Sequence, residues 1–437
     1  MVACGPIGQA QQSGLGRALR TRGRIAFLAP DGNVQTADQA GNAASLTNDA
    51  GLSASQRAVV SYSLPTWAAG SRRVAFARTE VTERSLATTV VVSDGGRAGS
   101  EASSTVFESA EHRAIYLSWS PDGEKITLLS GLQSRPELEL GLIDVATGIY
   151  SPLDVGQPYY WAWLPDSLTV LSHVGGDGRV SENARLQLIA AGGAQSEASA
   201  PVGAPYNLQP AAFQSPAVTP DGEHMVLVTA TGNQAALTLR TVRGGEEYRV
   251  ADVPGMAYFD ISPNGHYVAL LQTRAPAPSM ASSLSIFDIR QRGRSGAEQV
   301  RRLAELDESR ALAFYWSPNS RHVAYLAPAR PENGELTIDA MFATEQRFYV
   351  ALRVADVRTG RSRLVTTFPL TQEYARNVLP FFDQYQRSGT MWSPNSRYLT
   401  FSATTSRGFP GVFVAAASGR FRPEFVGPGD LPFWSRR

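Results

Sequence analysis

A short motif repeats along the chain, and it constrains the fold more strongly than any other feature. Five copies place an apolar residue before Ser/Thr-Pro-Asp/Asn-Gly/Ser and then alternate apolar residues. These copies are LSWSPDGEKITLLS (117–130), AVTPDGEHMVLVTA (217–230), DISPNGHYVALLQ (260–272), YWSPNSRHVAYLA (315–327) and MWSPNSRYLTFSA (391–403). Two degenerate copies, TWAAGSRRVAFAR (66–78) and AWLPDSLTVLSHV (162–174), keep the Trp and the following strand. The anchor positions of the seven copies are Trp67, Trp119, Trp163, Val218, Ile261, Trp316 and Trp392. A repeat on this scale predicts an architecture of similar stacked units.

Each part of the motif has a physical reason. Proline presets φ for the first corner of a tight turn, Asp or Asn bonds nearby backbone amides, and Gly accepts the left-handed conformation that closes the hairpin. The alternating apolar residues that follow, such as Val323 and Tyr325, predict a strand with both faces packed. Further strands follow in several copies, with steps such as DVATG (144–148) as the next turn. Each repeat is therefore predicted to be a four-stranded antiparallel sheet.

Sheets of this kind bury both faces only when neighbours stack, and the closed arrangement is a single all-β propeller. The C-terminal PFWSRR (432–437) has a Trp-bearing strand without its partner, whereas RGRIAFLA (22–29) has the partner strand without a Trp. We expect Trp434 to pair with the strand from Arg24 to Leu28, so that both ends of the chain build one blade and close the ring. This predicts eight blades, with seven as the fallback. Residues 24–437 form the propeller and residues 1–23 form an N-terminal tether.

Two insertions lie in the longest interval between anchors, which runs from Trp316 to Trp392. The first covers about residues 328–347 and the second about residues 369–390. The second has apolar residues at spacings that place them on one side of a short helix: Tyr374, Val378, Leu379, Phe381, Phe382 and Tyr385. Two interpretations are open. These rings pack on the rim or between blades, or they form a partner-binding or channel-covering lid, since large loops on rigid scaffolds often carry recognition.

The repeated W-S-P-[DN]-[GS] frame and its following strand resemble the TolB-type propeller repeat. That repeat is related to the WD repeat and occurs in bacterial periplasmic proteins and in the propellers of prolyl-oligopeptidase-like enzymes. The resemblance covers about residue 24 to the end of the chain. It implies an extracytoplasmic protein that binds partner peptides or lipoproteins at the mouth of the channel, although the propeller fold itself hosts many functions.

The N-terminal sequence bears on location. MVACG (1–5) is similar to the end of a bacterial lipobox, which predicts a lipid-modified Cys4 and a protein tethered to the outer face of a membrane. The alternative is a chance cysteine, because the basic start and apolar stretch of a secretory signal are missing here. No apolar run is long enough to span a membrane. Forty basic and 39 acidic residues give a net charge of +1, which argues against nucleic acid as a partner.

A search for catalytic chemistry finds none that the sequence supports. There is no G-x-S-x-G motif of the hydrolase that accompanies some propellers. The five histidines are His112, His173, His224, His266 and His322, and the repeat places them around the ring, too far apart to share a metal. The Asp-Gly pairs lack the ligand pattern of a calcium loop and are predicted to be turns. We therefore predict no metal and no cofactor.

The channel mouth and the second insertion remain as candidate binding surfaces. Aromatic side chains there offer large contact areas at low entropic cost. The predicted partner-binding residues are Tyr116, Tyr159, Tyr160, Tyr258, Tyr315, Tyr374, Phe381, Phe382 and Tyr385. The sequence thus favours a non-enzymatic, extracytoplasmic protein-interaction module or accessory subunit of a membrane or envelope complex. The alternative is a hydrolase or lyase that acts on a sugar or lactone in the central channel.

Overall fold

The computed structural model describes residues 23–38, 41–53, 57–70, 72–96, 103–175, 185–192, 215–231, 234–244, 246–273, 282–290, 300–306, 310–329 and 347–436. These residues form eight antiparallel sheets arranged as the blades of a propeller, so the predicted fold and blade number are confirmed. Cys4, the rest of the tether up to residue 22 and most of the first insertion lie outside the described residues.

The strands follow one another along the chain, one blade after the next. The N-terminal strands are β1 (Ile25–Leu28), β2 (Val34–Ala37) and β3 (Ala43–Ser45). Blade 1 contains β4 (Gly51–Ser53), β5 (Ala58–Trp67), β6 (Arg73–Val81), β7 (Leu86–Asp94) and β8 (Ser103–Ser109). Blade 2 contains β9 (His112–Trp119), β10 (Lys125–Leu132), β11 (Arg135–Asp144) and β12 (Tyr150–Gly156). Blade 3 contains β13 (Tyr159–Trp163), β14 (Thr169–Val174) and β15 (Arg185–Ala190).

The second half of the ring continues in the same order. Blade 4 contains β16 (Ala217–Val218), β17 (His224–Thr231), β18 (Gln234–Thr241) and β19 (Glu247–Asp252). Blade 5 contains β20 (Ala257–Ile261), β21 (Tyr267–Thr273), β22 (Ser282–Asp288) and β23 (Arg301–Leu306). Blade 6 contains β24 (Ala313–Trp316), β25 (His322–Pro328), β26 (Tyr349–Asp356) and β27 (Ser362–Pro369). Blade 7 contains β28 (Tyr398–Thr404), β29 (Pro410–Ala416) and β30 (Glu424–Pro428), and the C-terminal strand is β31 (Asp430–Trp434).

Strand number varies among the blades more than predicted. Blades 2, 4, 5, 6 and 8 have four strands, and blade 1 has a fifth because β4 pairs with the start of β5. Blades 3 and 7 show three strands within the described residues. In blade 7 the place of the first strand is taken by a single bridge between Trp392 and Leu399, since the second insertion runs almost up to that anchor.

The eighth blade closes the ring as predicted. Its strand order is β3-β2-β1-β31, with Ile25 opposite Trp434 and Ala26 opposite Phe433. Beyond the strand, the Ser435 amide donates to the Arg24 carbonyl at 2.7 Å, and the Arg24 amide donates to Ser435 Oγ at 3.0 Å. Residues from the two ends therefore complete one hairpin, even though no covalent turn connects them.

The motif turns are held by a repeated hydrogen-bond pattern. In blade 6, the buried Ser317 hydroxyl donates to Asn319 Oδ1 at 2.8 Å and accepts the His322 amide at 3.0 Å. Blade 4 uses Thr219, Asp221 and His224 in the same way. The Ser or Thr before the proline thus satisfies two polar groups in each turn, which explains its recurrence in the motif.

The motif tryptophans connect neighbouring blades. The Trp119 indole donates to the Thr66 carbonyl at 3.0 Å, and the Trp392 indole donates to the Tyr315 carbonyl at 2.9 Å. Each acceptor comes just before the anchor of the preceding blade, and Trp67 and Trp316 make the same contact with the Phe433 and Asp260 carbonyls. Apolar cores lie between the blades. Among the described helices, none is long and apolar enough to cross a membrane.

Candidate functional site

The second insertion folds into the central channel. A π-helical turn (Tyr374–Val378) and a 3-10 turn (Leu379–Phe381) lead into helix α1 (Phe382–Ser388). Helix α1 packs against β9, β20 and β24, the first strands of blades 2, 5 and 6. Gly389 follows it, where a Cβ atom would lie 2.6 Å from the Phe433 ring. We call residues 374–388 the channel plug.

Polar contacts fix one side of the plug to blades 1 and 2. The buried Tyr116 hydroxyl lies 2.7 Å from the Gln384 carbonyl and 2.7 Å from Ser388 Oγ. The Thr66 hydroxyl donates to the Ser388 carbonyl at 2.8 Å. Burial raises the pKa of Tyr116 well above its usual range, so its hydroxyl remains protonated. The Thr66 bond satisfies the Ser388 carbonyl at the end of α1, which has no partner within the helix.

Aromatic packing fixes the other side of the plug to blades 5 and 6. Phe382 is 1% exposed, and its ring centroid lies 5.3 Å from that of Tyr258 and 5.5 Å from that of Phe314. The Tyr374 and Tyr315 hydroxyls are hydrogen-bonded to each other in the core. Burial raises the pKa of Tyr374 to about 12. The plug is therefore part of the folded core of the ring.

The half-buried Arg387 and the buried Asp383 of α1 join the plug to blade 4. The Arg387 guanidinium donates to the Pro216 carbonyl, to the Ser215 carbonyl at 3.1 Å and to the Asp383 carbonyl at 3.3 Å. Asp383 is 5% exposed, and one of its carboxylate oxygens lies 3.5 Å from the Ser215 amide. Burial raises the pKa of Asp383, and the nearby Arg387 opposes that shift.

An apolar cleft lies between the plug and the first strands of blades 1 to 3. It encloses about 520 Å³. We call it the aromatic cleft, and its main lining residues are Tyr62, Ile115, Tyr116, Tyr159, Tyr160, Phe381 and Tyr385. Phe381 is 47% exposed at its rim and Ile115 is 39% exposed. The exposed Glu373 is the charged residue in its described lining.

The structure divides the nine predicted binding residues into two groups. Five are buried and serve as core: Tyr116, Tyr159, Tyr315, Tyr374 and Phe382. The plug covers Tyr116 and Tyr315, whereas Tyr374 and Phe382 belong to the plug itself. Tyr160, Tyr258 and Tyr385 are half-buried, and Phe381 is exposed. Five of the nine, from both the channel mouth and the insertion, meet in the aromatic cleft: Tyr116, Tyr159, Tyr160, Phe381 and Tyr385.

Exposed apolar residues extend from the start of β5, the strand that supplies Tyr62 to the cleft. Leu52 lies opposite Val59, and Val59 lies opposite Val81, so the three form one row across blade 1. They are 76%, 48% and 42% exposed. Contiguous exposed apolar surface of this kind is typical of an interaction site.

A second cavity opens on the opposite face of the ring, where the motif turns lie. It encloses about 560 Å³ and is lined by prolines and anchor tryptophans of several blades. Asp260, Arg387 and Arg436 supply its charges, and we call it the guanidinium cavity. Arg436 donates to the Arg387 carbonyl at the end of α1. These three residues are far apart in the chain and carry no local motif, so they could not be predicted from the sequence.

One group of metal-ligand type side chains occurs within the described residues. Ligand atoms of Asp221, Glu223 and His224 lie within 4.8 Å of one another, on a motif turn outside the channel. The Asp221 carboxylate accepts the Thr219 hydroxyl and the Glu223 amide at 2.9 Å, so it already serves the turn. The D-G-E-H spacing would have revealed this group in the sequence.

Comparisons with known proteins identify the fold. The sequence matches no family model and no curated protein. A prolyl endopeptidase structure superposes with a TM-score of 0.55 at 12% identity over 86% of this chain and 50% of that chain, so this chain spans about half that enzyme's length. The structure of a eukaryotic initiation factor superposes with a TM-score of 0.53 at 12% identity, over 95% of this chain and 98% of that chain. The structure of TolB from Acinetobacter baumannii superposes with a TM-score of 0.39 at 12% identity, over 87% of this chain and 83% of that chain. At these identities the shared feature is the β-propeller, which both enzymes and non-enzymes use.

Proposed function

We propose that this propeller is a protein-interaction module rather than an enzyme, and that the aromatic cleft binds an extended apolar segment of a partner protein. The observation that carries this proposal is the exposed Phe381 at the rim of a cleft lined by other aromatic rings. Phe381 lies on the plug, and the plug is held by buried contacts, so the cleft is formed before a partner arrives. A preformed site avoids the entropic cost of ordering a loop on binding.

The chemistry of the cleft favours an apolar segment as its occupant. A volume of about 520 Å³ is in the range of a small-ligand pocket and accommodates a few side chains. Full burial of one large apolar side chain contributes about 1.5–3 kcal/mol. The row from Leu52 to Val81 is a further exposed apolar surface on blade 1, outside the lining of the cleft. Because Glu373 is the charged residue in the described lining, a basic residue beside the apolar segment would complement it.

The enzyme alternative has less support from the same surfaces. A hydrolase or lyase site needs several carboxylates, amides or imidazoles that converge on one point. In the described linings of the two cavities the carboxylates are Asp260 on one side and Glu373 on the other. The remaining space in the channel is taken by the chain's own plug.

We further propose that the protein acts outside the cytoplasm, as an accessory subunit of a membrane or envelope complex. The lipobox-like Cys4 and the resemblance of the repeat to TolB-type propellers support this location. Metabolic labelling of the native protein with a palmitate analogue tests the anchor. We expect label on the wild type and none on Cys4→Ala, and an unlabelled wild type would contradict the anchor.

Site-specific photocrosslinking tests the cleft. A photoreactive phenylalanine at position 381 should crosslink one discrete partner in native cells, and the crosslinked peptide should contain an apolar segment. Position 421 provides a matched control, because Phe421 is also an exposed aromatic residue, at 52% against 47% for Phe381, and lies on blade 7. Identical adducts from both positions, or no adduct from position 381, would contradict the proposal.

A further inference from the structure

We infer that the guanidinium cavity binds the carboxylate of an organic acid with a compact apolar or aromatic body. This site lies on the opposite face from the aromatic cleft and is independent of the function proposed there. Its ligand would come from one of two sources, a small organic acid or the free C-terminus of a peptide.

Two cations converge on this cavity from different parts of the chain. Arg387 comes from the plug and Arg436 follows the closing strand. Three Arg387 hydrogen bonds go to backbone carbonyls, which fix its guanidinium in place. The one hydrogen bond of the Arg436 side chain within the described structure goes to the Arg387 carbonyl. A guanidinium has five N–H donors, so Arg436 keeps donors for a carboxylate.

The charge balance of the cavity favours an anion. Asp260 is its one carboxylate among the described lining residues, and it forms no ion pair within 4 Å with either arginine there. Burial raises the pKa of Asp260, and both arginines oppose that shift. The Arg436 side chain is exposed to solvent at this cavity, so a carboxylate can reach its guanidinium. A bound carboxylate would supply the missing negative charge.

The apolar walls of the guanidinium cavity indicate which kind of group the ligand carries beside its carboxylate. The turn prolines of blades 2 to 7 and the half-buried indole of Trp163 line the cavity around the two guanidinium groups. These flat apolar surfaces suit an aromatic or aliphatic body, as in other small-molecule sites where apolar walls surround a few polar groups. A volume of about 560 Å³ has room for a ligand of this size.

Binding of 3-phenylpropionate to the full chain tests the inference, with the neutral 3-phenylpropionamide as its matched probe. Titration calorimetry should detect the acid and give an affinity at least tenfold weaker for the amide. Arg436→Gln should weaken binding of the acid about tenfold or more, since it removes a charged hydrogen-bond donor. Arg420→Gln removes the same charge from an exposed turn of blade 7 and should leave affinity unchanged.

Asp260→Asn gives a test that misfolding cannot imitate, because it should increase affinity for the acid by removing the one negative charge. A tetrapeptide with a free or an amidated C-terminus distinguishes the second source of carboxylate. Tight binding of the free peptide alone would assign the site to peptide C-termini, and binding of phenylpropionate alone would assign it to small acids. The inference is overturned if neither acid binds, if acid and amide bind equally, or if Asp260→Asn weakens binding as Arg436→Gln does.

Discussion

Replacing Trp434 with Ala should destabilise the whole ring, because this residue closes it. Trp434 is fully buried and packs in a cluster with Ile25 and Phe27 of the N-terminal strand and Val412 and Val414 of blade 7. Loss of its ring would leave a cavity between the closing blade and blade 7. Substitutions of this type cost about 3–5 kcal/mol.

The expected change in melting temperature follows from the size of the chain. The entropy of unfolding is about 2 cal/mol/K per residue, which is roughly 0.9 kcal/mol/K for a propeller of this length if it unfolds cooperatively. A loss of about 3–5 kcal/mol therefore lowers the melting temperature by about 3–6 °C. Differential scanning calorimetry of the full chain measures this change directly.

Phe421→Ala is the control for this experiment. Phe421 is a large aromatic residue on the neighbouring blade, but it is 52% exposed. Exposed substitutions away from special features usually change stability by less than about 0.5 kcal/mol. If Trp434→Ala melted within about 1 °C of the wild type, as the control should, then closure by the terminal strand would not hold the ring together.

Two further predictions concern the interior. Trp392→Phe should lower the free energy of unfolding by about 1–3 kcal/mol more than Trp434→Phe. The Trp392 indole donates to the Tyr315 carbonyl, whereas the buried Trp434 indole N–H has no partner among the described residues. Equal changes in calorimetry would refute this prediction. Asp383→Asn should stabilise the protein at pH 7 but not below about pH 4. Burial raises the pKa of this carboxyl in the folded state, so the protein becomes less stable as pH rises above the unfolded pKa. The loss is about 1.4 kcal/mol for each pH unit between the unfolded and folded pKa values. An equal gain in stability at both pH values in thermal melts would contradict the prediction.

The fold could be predicted from the sequence because most blades carry the turn motif within a short stretch of the chain. The turn after Trp316, for example, needs Ser317, a proline and Asn319 within four positions, and hydrogen bonds within residues 317–322 hold its hairpin. Closure of the ring was predictable because the segments around Trp434 and Ile25 each contain one half of the repeated motif, and the two halves pair.

The site was less predictable, because its contacts depend on where the insertion goes. Spacing predicted that residues near Phe382 would share a helical side, but it carried no information that this side would enter the channel. Tyr116 and Tyr315 were expected at an open mouth and are buried, since the plug covers them. Asp260 and Arg436 come from different blades, so only the closed ring brings them together.

The central claim is that the aromatic cleft binds a partner segment, and the dissociation constant of the crosslinked segment tests it most directly. The measurement compares the wild-type chain with Phe381→Asp, Ile115→Asp and the control Phe421→Asp. We predict that each cleft variant binds at least tenfold more weakly, about 1.4 kcal/mol, while the control stays within about twofold of the wild type. Cleft variants that bind like the wild type, or a control that loses as much as they do, would contradict the account.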